Sequence, residues 1–224
     1  MLSAGADSPH SQEALETLCQ IYWYPIYAYL RRGGKSPADA EDLTQGFLFH
    51  LCQNNRLGTV GQEKGKFRSF LLVSLKHFLM DEAQKARAQK RGGGQTIVSL
   101  DAATAEERYA LEPPDVLDPE KVFERRWALT MLERTLARLK AECESQEKRE
   151  RFELLRDYLL GDPSAETYAE VGQRLGLGEG GVKSAVSRMR QRYRELFREE
   201  IANTVANEGE IEQETRHLFA ILIR

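Results

Sequence analysis

Thr167 to Glu199 reads TYAEVGQRLGLGEGGVKSAVSRMRQRYRELFRE, and how this stretch is interpreted decides the fold. Gly176, Gly178 and Gly181 spell G-x-G-x-x-G, with Lys183 and Ser184 just beyond. Such glycines either cradle a nucleotide phosphate or form a tight turn between two helices. A dinucleotide fingerprint needs a β-strand before its first glycine, and a phosphate loop needs G-x-x-x-x-G-K-[ST]. Neither condition is met. Tyr168, Val171 and Leu175 keep helical spacing, Thr167 and Glu170 form a T-x-x-E capping box, and Val182 separates Gly181 from Lys183. A second near miss, GQEKGKF from Gly61 to Phe67, lacks both the spacing and the hydroxyl residue.

The stretch is therefore predicted to be helix, turn, helix. Gly176 supplies the left-handed stop of the first helix, and Leu177 fills the angle between the two. The second helix is predicted to bury Val182, Val186, Met189 and Tyr193. Its opposite face presents Lys183, Ser184, Ser187, Arg188, Gln191 and Arg192. That is the composition of a DNA-reading helix, with a few base-reading side chains and arginines for phosphates around them. Gly180 and Gly181 remove side chains at the helix start, where backbone amides can approach a phosphate. A helical hairpin with a charged outside is the alternative, and it leaves the charge bias of this face unexplained.

Charge along the whole chain is segregated. The net charge of the 224 residues is −3, yet Lys64 to Arg91 holds eight Lys/Arg against two acids, and Lys183 to Arg198 six against one. Asp101 to Glu124 has eight acids and two bases, and Glu199 to Glu214 has six acids and no base. Two basic segments in acidic surroundings suggest a polyanion bound at two places; solvated helix faces are the bland alternative. Hydrophobic residues at 41 % and charged residues at 30 % fit a helix-rich globular protein. No apolar run approaches the roughly 20 residues of a membrane span, and the N-terminus does not read as a signal peptide. Cys19, Cys52 and Cys143 are scattered without a C-x-x-C and read as reduced thiols in a cytoplasmic protein. The histidines, His10, His50, His77 and His217, lie far apart, and no carboxylate pair has a dedicated partner. No catalytic residue, metal site or cofactor is expected, and the chain does not read as an enzyme.

Nearly every other segment also carries helical signals. Glu13 to Arg32 has an apolar stripe that Pro25 is expected to bend. Ser36 caps a helix whose first turn holds Pro37, Asp39, Glu41 and Asp42, and Leu43, Phe47 and Leu51 recur along it. Arg56 to Gly65 is a Gly-rich loop. A long helix follows, apolar from Phe67 to Met80 and polar from Asp81 onward, until the glycines at 92 to 94 stop it. Residues 95–120, with Pro113, Pro114 and Pro119, read as an acidic linker with at most short local structure; TIVSL, Thr96 to Leu100, is the one β-like run. Helices resume from Glu120 to Cys143 and from about Glu147 to Leu160. After Ile201, the residues Ile211, Leu218, Phe219 and Leu222 line one side of a further helix, with Glu210, Glu212 and Glu214 outside. This tail either packs on the C-terminal domain or acts as an internal regulator whose acids cover the basic helix.

Three stretches, in order, resemble an RNA polymerase sigma factor of the extracytoplasmic-function (ECF) group of the sigma-70 family. DAEDLTQGFLFHL, Asp39 to Leu51, is similar to the family's polymerase-binding helix. GKFRSFLLVSLKHFLMDEAQKARAQKR, Gly65 to Arg91, resembles its promoter-melting and minus-ten segments. TYAEVGQRLGLGEGGVKSAVSRMRQRYRE resembles its minus-thirty-five helix-turn-helix. The likeness covers about residues 10–200. It implies an all-α chain: a region 2-like helical bundle over 10–94, a linker over 95–120, a region 4-like helix-turn-helix domain over 121–203, and a C-terminal extension over 204–224. It implies a subunit that docks on core RNA polymerase and directs initiation at promoter DNA, with an anti-sigma protein as one kind of regulator. Asp39, Asp42, Gln45 and Leu48 fall at the polymerase contact. Lys64, Lys66 and Arg68 fall in the loop that captures a flipped minus-ten base. Lys76, His77, Arg87, Lys90 and Arg91 would grip the adjoining backbone, and Lys183, Ser184, Ser187 and Arg188 would enter the major groove, with Gln191 and Arg192 beside them. A stand-alone helix-turn-helix regulator and a nucleotide-binding enzyme are the alternative functions.

Overall fold

Caps and apolar spacing place one helix after another in the computed structural model, which describes residues 9–53, 66–88, 102–110, 118–143, 145–161, 166–205 and 207–223. In chain order the helices are α1 (Pro9–Arg32), α2 (Pro37–Gln53), α3 (Phe67–Ala88), α4 (Ala102–Ala110), α5 (Pro119–Ala141), α6 (Gln146–Leu160), α7 (Tyr168–Leu175), α8 (Glu179–Ala202) and α9 (Ile211–Leu222), with a short 3-10 turn at Glu208–Glu210 before the last. Among the described residues all regular structure is helical, and no helix is long and apolar enough to cross a membrane. The TIVSL run and the glycines at 92–94 lie outside the described residues.

The chain divides into two compact units, residues 1–130 together with 202–224, and residues 131–201. The division falls within α5, where the sequence had suggested residue 121, and the C-terminal stretch belongs to the first unit.

The core of the first unit is built on α1. Ile21, Tyr22, Ile26, Tyr27 and Leu30 are essentially inaccessible, and Pro25, inside the helix, is buried with them. Against them lie Phe47 and Leu51 of α2, Leu71 and Leu75 of α3, and Phe123 and Trp127 of α5. The Tyr22 ring meets Phe67 edge-on at 5.4 Å and stacks with Phe123 at 6.4 Å, the separations aromatic pairs prefer. The start of α2 follows its sequence signal: the Ser36 hydroxyl accepts from the Asp39 amide at 3.1 Å and donates to the Asp39 carboxylate at 2.7 Å.

The expected linker holds a docked helix. Glu106 of α4 accepts hydrogen bonds from Arg31 Nε at 2.9 Å, Arg31 Nη2 at 2.6 Å and the Tyr27 hydroxyl at 2.6 Å. Those bonds, led by Arg31, hold the Glu106 carboxyl below its ordinary range. Arg31 also lies over the Tyr109 ring, and Arg108 over the Tyr24 ring. An acidic segment that reads as a tether thus spends its charge on α1.

The second unit surrounds two apolar clusters. One joins Leu155 and Tyr158 of α6 to Val171 of α7 and Val182, Ala185 and Val186 of α8; the other joins Leu139 and Phe152 to Leu196. Ser145 caps α6 and left-handed Gly161 ends it. Glu200 of α8 is 5 % exposed and receives Arg134 at 3.3 Å and Arg138 at 2.9 Å, both from α5. Buried charges survive only when paired in this way.

Candidate nucleic-acid interface

The turn that opened the sequence problem is built as its residues require. Thr167 and Glu170 form the full capping box, with the Thr167 hydroxyl accepting from the Glu170 amide and the Glu170 carboxylate accepting from the Thr167 amide at 2.7 Å. Gly176 sits at φ 64°, and the Leu177 amide donates to the Gly172 carbonyl at 2.8 Å. A methyl group at Gly172 would lie 2.6 Å from the Leu177 carbonyl oxygen, so this close approach admits only glycine. Leu177 and Met189 pack against the cluster formed by α6, α7 and α8. The rings of Tyr158 and Tyr168 stack at 4.9 Å, and Arg190 donates to the Tyr158 carbonyl at 2.6 Å. The angle between α7 and α8 is therefore set by backbone contact as well as by side chains.

Val182 and Val186 are buried as predicted, and Met189 and Tyr193 are half-buried. Lys183, Ser184, Ser187, Arg188 and Gln191 are exposed. These residues do not all point the same way. At about 100° per residue, Lys183, Ser184, Ser187 and Gln191 share one sector, Arg188 lies at its edge beside Ser184, and Arg192 turns toward Ala185. Arg192 is engaged with Glu142, its Nη2 at 2.5 Å and its Nε at 2.9 Å, and with Glu195 at 3.1 Å. Those bonds, with Arg192 the main cause, hold the Glu142 carboxyl below its usual range. Lys183 lies 3.8 Å from Glu179 and over the Tyr168 ring; both contacts are exposed and weak enough for a phosphate to replace.

The first unit departs further from expectation. Arg68, assigned by resemblance to strand capture, is 5 % exposed. Its Nε donates to Glu214 at 2.5 Å, its Nη2 to Glu214 at 3.3 Å and its Nη1 to Glu124 at 2.6 Å, and its guanidinium faces the Trp127 ring. Lys66 closes on the same Glu214 at 2.8 Å. Glu214, on α9, is 1 % exposed; burial pushes its carboxyl up, but the hydrogen bonds from Arg68 and Lys66 outweigh burial and hold it below its ordinary range. Lys66 and Arg68 thus stabilise a buried ion cluster and do not present an open cationic surface. The tail meets Lys66 and the start of α3 in the first unit, and His217 of the tail lies 3.5 Å from Glu124 of α5.

Leu48 is corrected for the same kind of reason: at 5 % exposed it belongs to the core. Its neighbour Phe49 is 63 % exposed, on the side of α2 that carries Asp42, which is also exposed, and half-buried Gln45. Asp39 is exposed and tied to Ser36, and Gln45 donates to Glu41 at 3.1 Å. On α3, His77 is exposed, and Lys76 is exposed but paired with Glu120 at 2.5 Å. Lys64, Lys90 and Arg91 lie outside the described residues, as does the side chain of Arg87. Among the described residues, no three His, Cys, Asp or Glu side chains are grouped to hold a metal ion.

With this geometry in hand, the chain was compared with protein-family models, curated proteins and solved structures, and none of the three gave a match.

Proposed function

We propose that the chain is a promoter-specificity subunit of RNA polymerase, a sigma factor of the ECF kind, and not a catalyst. The observation that carries this reading is the capped α7–turn–α8 unit with Lys183, Ser184, Ser187 and Gln191 exposed together on one sector of α8. Two hydroxyls and an amide can read base edges, and the lysine can neutralise a phosphate. The exposed Asp39, Asp42 and Phe49 on α2 supply a mixed acidic and apolar surface suited to core polymerase. In this reading α3 contributes Lys76 and His77 to the minus-ten strand, because Lys66 and Arg68 close on buried Glu214 whereas the Lys76–Glu120 pair is exposed and can exchange for a phosphate.

Run-off transcription with purified core polymerase tests the proposal. The full chain is expected to direct initiation from a subset of promoters, with Asp42→Ala impairing polymerase association and Lys183→Ala weakening promoter binding across sequences. Tight binding of a palindromic duplex without polymerase would instead indicate a stand-alone regulator. Turnover of nucleoside triphosphates by the chain alone would indicate an enzyme.

A further inference from the structure

Within the unit of residues 131–201, a cavity of about 460 Å³ opens among the end of α5, α6 and α8. Its floor is apolar: Leu139, Phe152 and Leu155 are 6 %, 4 % and 2 % exposed, and half-buried Met189 lies beside them. Its rim is cationic, with Lys148 and Arg151 from α6 and Arg188 and Arg192 from α8 against one carboxylate, Glu142. Arg192 already neutralises that carboxylate. Among the described residues the side chains of Lys148, Arg151 and Arg188 have no hydrogen-bond or ion-pair partner. Three like charges therefore converge on an apolar hollow without a counter-ion among the described residues, an arrangement that repels itself until an anion arrives.

The two halves of the site specify the ligand together. A purely apolar molecule leaves the cations unanswered, and a bare phosphate leaves the floor wet. The volume lies within the range of small-molecule sites and is short for a long peptide helix. We propose that this cavity binds a small amphipathic anion, such as a medium-chain fatty-acid carboxylate, with its head on Arg151 and Arg188 and its chain over Leu139 and Met189. A guanidinium suits a carboxylate because it can donate two parallel hydrogen bonds. Should the promoter reading also hold, Arg188 would be shared between ligand and DNA, and occupancy would lower DNA affinity; ligand binding itself does not depend on that reading.

Calorimetric titration of the full chain with decanoate is the test, with acetate, decan-1-ol and decyltrimethylammonium as matched controls. Saturable one-to-one decanoate binding is expected, at least tenfold tighter than any control. Arg151→Ala is expected to weaken it about tenfold and Arg151→Glu further, while leaving the thermal transition in place. Arg151 is half-buried, so an unchanged thermal transition is measured for each variant to isolate the charge from any loss of packing. Equal binding of decyltrimethylammonium, or of acetate, would overturn the proposal, because only grease or only charge would then matter. Absence of saturable decanoate binding would overturn it too. If duplex DNA or an acidic peptide, but not decanoate, bound in an Arg151-dependent way, these cations would belong to a macromolecular partner and the proposal would fail.

Discussion

Replacing Glu214 by Gln removes the charge from the ion cluster of the first unit while keeping the shape. The variant's amide still accepts one hydrogen bond, but Arg68 and Lys66 lose the carboxylate that lies 2.5 and 2.8 Å from them. Breaking a buried pair by removing one partner costs about 3–5 kcal/mol. Arg68 keeps Glu124 at 2.6 Å, and Lys66 is 21 % exposed and can rehydrate, so the expected loss is smaller, about 2–3 kcal/mol. Trp23 and Trp127, the two tryptophans of the chain, both lie in the first unit. Tryptophan emission in a urea titration therefore reports on that unit, and the midpoint is expected to fall with little change in slope. The effect carries a pH signature. Glu214 has a folded-state pKa held below its unfolded value, so its contribution is present above the unfolded value and lost as pH falls through the folded one. Native chain and variant should differ fully near pH 7 and converge in acid. A loss under about 0.5 kcal/mol at pH 7, or a gap that widens in acid, would refute the assigned role of the cluster.

The other expectations concern separate elements. Gly172→Ala should cost about 2 kcal/mol or more, because its methyl meets backbone that cannot rotate away; near-ultraviolet circular dichroism of the Tyr158–Tyr168 stack reads the change. Gly180→Ala, where the added methyl meets open space inside α8, should instead stabilise by about 0.5 kcal/mol in a thermal melt. Burial pushes the Cys19 thiol up to about 11, so alkylation at pH 8 should be about a hundredfold slower than for an unperturbed thiol and accelerate toward pH 11. Because that folded value is raised, the stability it contributes is present at neutral pH and lost as pH climbs through about 11. On the proposed promoter reading, Lys183→Ala should weaken DNA binding across sequences and reduce the log–log salt slope by about 0.9, measured by fluorescence anisotropy.

What could be read from the residues alone was what local chemistry decides. The Thr167–Glu170 box, the left-handed Gly176 and the Ser36 cap depend on neighbours within a few positions, and each formed as its sequence indicated. Features set by distant partners were not legible. Arg68 reads as a surface cation because its carboxylate stands 146 positions away along the chain. The segment around α4 reads as a linker because prolines and acids dominate it, and only the approach of Arg31 gives Glu106 a reason to stay. Between Leu48 and Phe49 a single position separates core from surface, and the pattern of α2, apolar at both, does not say which faces out. The basic rim of the cavity was missed because Lys148 and Arg151 of α6 join Arg188 and Arg192 only once the helices pack.

The order in which the first unit is completed has a consequence for biosynthesis. Lys66 and Arg68 leave the ribosome early, whereas the carboxylate that answers them emerges only after the whole of the second unit. Until then Arg68 has Glu124 alone and Lys66 lacks its carboxylate, and a chain truncated before Glu214 keeps that deficit for good. Proteolytic surveillance is thereby offered a direct way to tell chains that have reached α9 from those interrupted before it, since α9 is what closes the seat.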